Sequence, residues 1–330
     1  MTRLAKVTRP TRSRGAAALL AAVLLADCAT LRPGAGPDQV WVANMDSHTI
    51  SVLDGATLQP LATIEARGQS THDLVLTPDG RRLFATNMGT GTLTVVDTGT
   101  RQVIATIPTG KVTHAIAVTP DGREVWVNLG GEDHIAIVSV ADLTVVGRVP
   151  LGEPIATGHI WFSPDGRTAY ATSPKFGQVF VVDVAARAVR DRIAVGRGPT
   201  FIQVASDGRE IWGTNTGEAS IYVIDAASRS VATIEVGAMP QHLTVVGDRV
   251  YVTLGGQDQV AVLDRATRRI LTRIPVGRKP HGIWPSADGR RLYVAHEEGH
   301  DLGVIDVAAG RVAATAPVGK KPIAVVVSRP

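Results

Sequence analysis

One segment of about 42 residues recurs seven times in this chain and occupies nearly all of it after residue 37. An aromatic residue marks each copy, and successive markers stand 39 to 44 residues apart. The markers are Trp41, Phe84, Trp126, Tyr170, Trp212, Tyr251 and Tyr293. Repeats of about 40 to 45 residues that carry several short strands are typical of propeller blades. The recurrence therefore predicts a single closed all-β ring over residues 38–330.

Each copy contains four apolar, β-branched runs separated by turn residues. In one copy the runs are residues 72–77, 82–87, 92–97 and 102–107. Asp79 and Gly80 separate the first two runs, and Asp-Gly between apolar runs indicates a tight hairpin. We expect four antiparallel strands in each blade, named A to D from the channel outward.

The two ends of the repeat region predict how the ring closes. The region begins with a strand B, residues 39–44, and ends with residues 323–328, which match a strand A. We expect the last strand to complete the first blade. The prediction is a seven-bladed β-propeller with four antiparallel strands per blade and no open sheet edge between its ends.

Two aspartates recur in most copies, one at the A–B corner and one after strand C. A short Asp side chain at a turn usually accepts hydrogen bonds from its own backbone. A catalytic carboxylate would occur once, so we interpret these residues as structural. They are Asp79, Asp121, Asp165, Asp207 and Asp288 at the corners, and Asp54, Asp97, Asp183, Asp225, Asp264 and Asp306 after strand C.

Strand B carries a tetrad that resembles a known repeat. It reads Phe-Ala-Thr-Asn at 84–87, Trp-Gly-Thr-Asn at 212–215 and Tyr-Val-Thr-Leu at 251–254. In these residues the chain resembles the YVTN-repeat (YncE-like) family of seven-bladed propellers over residues 38–330. The resemblance implies an extracytoplasmic protein, related in architecture to surface-layer propellers, to the haem-binding propeller of cytochrome nitrite reductases and to nitrous-oxide reductase. It indicates a fold more than an activity, since function depends on loops carried by the fold.

The first 37 residues lie outside the repeats. Five basic residues precede the uncharged run 15–26, a pattern typical of an export signal. The run is too short to span a bilayer core of about 30 Å. We predict a signal peptide over residues 1–28, a linker over 29–37, and a periplasmic or cell-envelope location.

The single cysteine, Cys28, ends the predicted signal. Residues 25–28 resemble a bacterial lipobox, although Asp27 stands where that pattern expects a small neutral residue. Lipidation of Cys28 and simple cleavage nearby both stay open. A lipid anchor would be the only membrane attachment.

Charge and composition argue against a nucleic-acid partner. The net charge is +4, and removal of the five basic leader residues and Asp27 would leave none. Aromatic residues make up only 4% of the chain. A nucleic-acid surface would require basic patches with stacking aromatics. We expect a small ligand or an envelope protein as partner.

The histidines supply the main functional hypothesis. His72, His114 and His281 share one repeat position at the start of strand A, where strand A lines the channel, while His48 and His296 lie beside B–C loops. Neutral imidazole is a common ligand of zinc, copper and iron. We therefore predict a metal site at His72, His114 and His281, joined by His296 or His48, with copper, zinc or haem as candidate cofactors. The alternative is that a polar funnel simply tolerates histidine.

The D–A loops of the same face carry seven cations, which would attract an anionic ligand. From these we predict that Arg278 and Lys320 contact a carboxylate-bearing cofactor or substrate. The seven are Arg67, Lys111, Arg197, Arg278, Lys279, Lys320 and Lys321.

No motif for a serine hydrolase, a phosphate-binding loop or covalent haem is present. The leading hypothesis is an exported propeller that binds a ligand or protein partner on its His-rich loop face. The alternatives are a metal- or haem-dependent oxidoreductase, a cofactor-handling protein, a propeller-type lactonase, or an interaction scaffold. Whether the protein is an enzyme stays open.

Overall fold

A computed structural model describes residues 1–2 and 38–328 of the chain. Residues 3–37 lie outside the described part, with most of the predicted leader, the linker and Cys28. The chain divides into a unit of residues 1–34 and a unit of residues 35–330, and the second unit contains the propeller. Within the described residues, no helix is long and apolar enough to cross a membrane.

In residues 38–328, twenty-eight strands form seven separate four-stranded antiparallel sheets, each of which is one blade. From the channel outward, blade one consists of β28 (Pro322–Ser328), β1 (Gln39–Asn44), β2 (Thr49–Asp54) and β3 (Pro60–Glu65), and blade two of β4 (Thr71–Leu76), β5 (Arg82–Asn87), β6 (Thr92–Asp97) and β7 (Gln102–Pro108). Blade three consists of β8 (Thr113–Val118), β9 (Glu124–Leu129), β10 (His134–Ser139) and β11 (Val145–Pro150), and blade four of β12 (Ile160–Phe162), β13 (Thr168–Ser173), β14 (Gln178–Asp183) and β15 (Ala188–Ala194). Blade five consists of β16 (Pro199–Val204), β17 (Glu210–Asn215), β18 (Ser220–Asp225) and β19 (Val231–Glu235). Blade six consists of β20 (Pro240–Val246), β21 (Arg249–Leu254), β22 (Gln259–Asp264) and β23 (Ile270–Pro275). Blade seven consists of β24 (Pro280–Pro285), β25 (Arg291–His296), β26 (Asp301–Asp306) and β27 (Arg311–Pro317).

The ring closes as the sequence predicts. Strand β28 pairs antiparallel with β1 and is the inner strand of blade one. The indole Nε1 of Trp41 donates a 3.0 Å hydrogen bond to the hydroxyl of Ser328, which ties the two ends of the propeller together. The seven-bladed architecture and its closure are confirmed.

The aromatic markers of strand B form the core between blades. Trp41, Phe84, Trp126 and Trp212 are completely buried. Trp126 packs edge-on against Phe162 of the next blade, with ring centroids 5.1 Å apart. Burying a large apolar side chain stabilises a fold by roughly 1.5–3 kcal/mol. The aromatic period therefore reflects the contact that each blade makes with its neighbour.

Threonines in strand B link successive blades. In four blades the hydroxyl donates to a backbone carbonyl in strand A of the next blade, at 2.6 to 3.1 Å. The pairs are Thr86 with His114, Thr172 with Thr200, Thr214 with Gln241, and Thr253 with His281. We call these the inter-blade threonines. They account for the Thr of the recurring tetrad.

The recurring aspartates serve the turns. Asp54 Oδ1 accepts hydrogen bonds from the backbone N–H groups of Ala56 and Thr57 at 2.9 and 2.7 Å. Both bonds lower the pKa of the Asp54 carboxyl, and the bond from Thr57 has the largest effect. Asp79 Oδ1 similarly accepts from the Thr77 hydroxyl at 2.6 Å. The structural interpretation of both aspartate series is confirmed by these contacts.

Candidate functional site

Five imidazoles from five blades form a continuous layer across the central channel. Ring centroids are 4.2 Å apart for His72 and His114, 5.7 Å for His114 and His159, and 4.9 Å for His159 and His242. His281 completes the circuit, at 4.7 Å from His242 and 6.2 Å from His72. We call these five residues the imidazole layer.

The position of each ring follows from the start of its strand A. His72, His114 and His281 are the second residues of β4, β8 and β24. His159 and His242 lie one residue further along their repeats, and the rings nevertheless reach the same layer. The prediction that His72, His114 and His281 face a common space is confirmed. The inclusion of His159 and His242 was not predicted.

Burial keeps the imidazole layer neutral. Desolvation lowers the pKa of His114 and of His281 to about 4. The pKa values of His72, His159 and His242 are also well below the ordinary value, because of burial first and of repulsion from the neighbouring imidazoles second. Each ring therefore offers one N–H donor and one nitrogen lone pair at neutral pH.

Three ring nitrogens in the layer are buried and have no hydrogen-bond partner among the residues that the structure describes. They are Nδ1 of His72, Nδ1 of His114 and Nε2 of His242. Leaving a buried polar atom unpaired costs roughly 1–3 kcal/mol. Unpaired nitrogens in a channel are thus a signal of a bound water, ion or ligand group.

Asp73 adds a carboxyl group to the layer and was missed in the sequence analysis. It is the third residue of β4, only 8% exposed, and its Oδ2 lies 3.7 Å from Nδ1 of His159. The backbone N–H of Leu74 donates to Oδ1 and that of Ile116 to Oδ2. Burial raises the pKa of Asp73 to about 7. Aligning the repeats would have revealed it, since Asp73 shares the repeat position of His159 and His242.

A cavity of about 590 Å³ extends along strands A from the imidazole layer toward the A–B corners. Asp73, His159 and His242 line its inner end, and exposed residues at the corners, including Pro120, Pro164 and Ser206, line its mouth. The walls between them consist mainly of aliphatic and aromatic side chains. The cavity therefore lies on the side of the layer away from the cationic D–A loops.

Two tryptophans meet across the cavity. Trp161 in β12 of blade four and Trp284 in β24 of blade seven have ring centroids 6.0 Å apart, although their blades are not adjacent. Phe201 of blade five stacks on His242 with centroids 4.2 Å apart. The inner half of the channel is therefore aromatic as well as polar.

His296 and His48 bind to the backbone elsewhere. His296 is fully buried and stands at the Asn position of the tetrad. Its Nε2 accepts a 3.1 Å hydrogen bond from Gly277 N–H, and its Nδ1 contacts Asp301 Oδ1. His48 Nδ1 accepts a 3.0 Å bond from the N–H of Ser70. Neither ring has a contact with the imidazole layer among the described ring pairs.

The two cations predicted to bind a carboxylate lie on the D–A loops. Arg278 has a 70% exposed side chain and pairs with Glu298 at 2.9 Å. The backbone N–H of Lys320 donates to the Ser47 hydroxyl. Of the described residues lining the cavity, none is Arg or Lys. The described lining therefore offers no cationic partner for the carboxylates of haem, and haem binding stays a prediction.

In the part of the chain that the structure describes, no group of three or more His, Cys, Asp or Glu side chains is arranged to hold a metal ion. The participation of His72, His114, His281, His296 and His48 in metal binding stays a prediction. The layer does bring the first three together, with imidazole donors suited to copper or zinc.

The fold and the channel define a seven-bladed β-propeller with a histidine-layered central cavity. The chain belongs to the YNCE-like beta-propeller family, whose model matches residues 13–328. A comparison with curated proteins finds no match.

Many solved structures share the fold. A functionally unknown protein from Desulfotomaculum acetoxidans is 16% identical with a TM-score of 0.78, covering 88% of this chain and 99% of the other. The periplasmic gluconolactonase of Pseudomonas aeruginosa is 20% identical with a TM-score of 0.71, covering 88% and 99%. Kuenenia stuttgartiensis hydrazine synthase is 19% identical with a TM-score of 0.70, covering 79% and 95%. At these identities the likeness concerns the fold alone.

Proposed function

We propose that this protein is a small-molecule binding protein whose site is the central cavity. The observation that carries the proposal is that one cavity joins apolar walls to Asp73 and to a buried ring nitrogen, Nε2 of His242, that has no hydrogen-bond partner among the described residues. Its volume of about 590 Å³ lies within the roughly 300–1,000 Å³ of known ligand pockets. A ligand would place its apolar body beside Trp161 and Trp284 and its polar group at the imidazole layer.

This proposal moves the binding site from the loop face to the channel interior. The D–A loops carry ion pairs, such as Lys279 with Glu297 at 2.9 Å. His48 and His300 on the same face also have partners already. Each ring accepts a hydrogen bond from a backbone N–H group of the loop that leads to the next blade, His48 from Ser70 and His300 from Lys321. The unpaired nitrogens instead lie in the imidazole layer, one of them on a cavity-lining residue, His242.

The test is ligand-observed NMR with a library of small aromatic and aliphatic compounds. Ser206→Trp would fill the exposed mouth of the cavity and Trp284→Leu would alter its wall. Ser230→Trp, on an exposed turn outside the cavity lining, is the matched control. Compounds that bind the parent protein should lose at least about tenfold in affinity with the first two variants and retain it with the control. Equal affinity in all three variants would place binding elsewhere and refute the proposal.

A second candidate function is the binding of copper or zinc at the imidazole layer. The specific support is the pair of unpartnered Nδ1 atoms on His72 and His114, whose rings lie 4.2 Å apart on adjacent blades. Neutral imidazoles need no deprotonation before they ligate a metal, so their low pKa values favour this chemistry. Open coordination positions would be completed by water or by a bound ligand.

We also propose that the protein is exported, which rests on the basic leader and its short apolar run. Lactone hydrolysis is not proposed. The gluconolactonase likeness concerns only the fold, and chemistry depends on side chains that a fold does not specify.

A further inference from the structure

We propose that the ligand of the central cavity is an organic cation, an amine or ammonium compound with an apolar body, recognised by Asp73 and the surrounding aromatic rings. The inference rests on the proposed function, since it requires that the cavity binds a small molecule. It goes further by specifying the charge of that molecule.

The charges that line the cavity have one sign. Asp73 is the single carboxylate among the described lining residues, and no Lys or Arg accompanies it. His159 and His242, which also line the inner end, are buried imidazoles and carry no charge at the pH 8 of the experiment below. A buried carboxylate is stabilised in its ionised form by an opposite charge within about 4–6 Å. Nothing on the described lining supplies that charge, so a cationic ligand group would complete the site.

The remaining surfaces of the cavity also suit a cation. Trp161, Phe201 and Trp284 present aromatic rings to the space that Asp73 borders. Indole and phenyl faces attract ammonium groups, by about 2 kcal/mol or more where water is excluded. Nε2 of His242 has no partner in the described residues and, in the tautomer that carries the proton on Nδ1, can accept a hydrogen bond from an ammonium N–H. An anionic ligand would instead face a carboxylate, aromatic faces and uncharged imidazoles.

The experiment compares three probes of matched shape by isothermal titration calorimetry with the intact protein: phenethylamine, phenethyl alcohol and hydrocinnamate. At pH 8 we expect phenethylamine to bind at least tenfold more tightly than the other two.

Variants separate the charge from the pocket. Asp73→Asn should remove the preference for the amine, and Trp284→Leu should weaken all three probes. Asp133→Asn, whose parent side chain is 68% exposed and outside the cavity lining, is the matched control and should change nothing. Because Asp73 also accepts two backbone hydrogen bonds, the comparison of the three probes on the parent protein tests the inference even if Asp73→Asn does not fold.

The outcomes distinguish the two proposals. Equal, Trp284-dependent binding of the three probes would overturn the cation inference and leave the proposed function standing. Tighter binding of hydrocinnamate would do the same. If none of the probes binds the folded protein at about 10 mM, a concentration well above even a weak dissociation constant on the order of 1 mM, the cation inference is wrong. The compound library then decides the proposed function separately.

Discussion

The hydroxyl of Thr253 in blade six donates a 2.6 Å hydrogen bond to the backbone carbonyl of His281 in blade seven. The same oxygen accepts a 3.0 Å bond from the N–H of His242. One threonine thus fixes the backbone at two members of the imidazole layer. Since Thr86 makes the equivalent bond to the carbonyl of His114, the tetrad of strand B positions the residues of the channel.

Replacing Thr253 by Val should lower the free energy of unfolding by roughly 1–3 kcal/mol, because the His281 carbonyl and the His242 N–H lose a buried partner. Thr253→Ser keeps the hydroxyl and should recover most of this loss. Chemical denaturation checks both. Thr267→Val, at an exposed turn, is the control and should lower the free energy of unfolding by less. A Val variant as stable as the parent would show that the inter-blade threonines do not stabilise the ring.

Deleting residues 323–330 should open the ring. Strand β28 pairs with β1 along its length, so its loss exposes the inner edge of blade one and the apolar faces beside it. We expect insolubility or a non-cooperative thermal transition. A truncated protein that melts like the parent would contradict the closure mechanism.

The propeller should lose stability as the pH falls from 7 to 5. The pKa of His114 is about 4 in the fold against an ordinary 6.5, so the unfolded chain takes up the proton first. At pH 5, protonation of this one residue in the unfolded chain lowers the free energy of unfolding by up to about 2 kcal/mol. Asp73 acts in the opposite sense, since its raised pKa makes its contribution fall as the pH rises from about 4 to 7. The loss of stability from the five histidines on acidification should exceed the gain from the one carboxyl group of Asp73.

Thermal denaturation of the parent and of His114→Gln between pH 5 and 8 checks this expectation. The variant should show a smaller decrease in melting temperature on acidification. His134→Gln, which replaces a histidine outside the layer, is the matched control for the substitution itself. A parent melting temperature independent of pH would mean that the imidazoles are not held neutral by burial.

If the imidazole layer binds metal, chelator-treated protein should take up Cu²⁺ or Zn²⁺ with one site per chain. His72→Ala and His281→Ala should each weaken binding by at least about tenfold, since each removes a donor from the layer. His134→Ala is the control for ordinary surface binding. Affinities that do not exceed those of a surface histidine, with no effect of the two variants, would make the metal proposal wrong.

Export predicts that the mature chain begins at or near residue 28. If Cys28 is lipidated, Cys28→Ser should move the protein from the membrane to the soluble fraction, whereas simple cleavage predicts a soluble protein in both cases. N-terminal sequencing and fractionation distinguish them. Recovery of intact Met1 on cytoplasmic protein would contradict both versions.

The seven aromatic markers, the Asp-Gly corners and the split first blade were sufficient to predict the ring, its strand order and its closure. These features repeat because each blade packs against the next in the same way. The same residue types therefore recur seven times, each time within a short stretch of the sequence. Trp126 against Phe162 is one such contact. The location of His72, His114 and His281 at the channel followed from the same repeat.

The tertiary structure decided which residues make the site. His296 resembled a ligand in the sequence, but it takes the place of the tetrad Asn and binds Gly277 and Asp301. Asp73 shares the repeat position of His159 and His242, but only the fold shows that it lines a cavity together with Trp284. The reason is physical: the channel is formed by seven strands A from distant parts of the chain. The sequence repeat determines how one blade packs on the next, whereas the depth, protonation and partners of each channel side chain depend on what the other six blades place beside it.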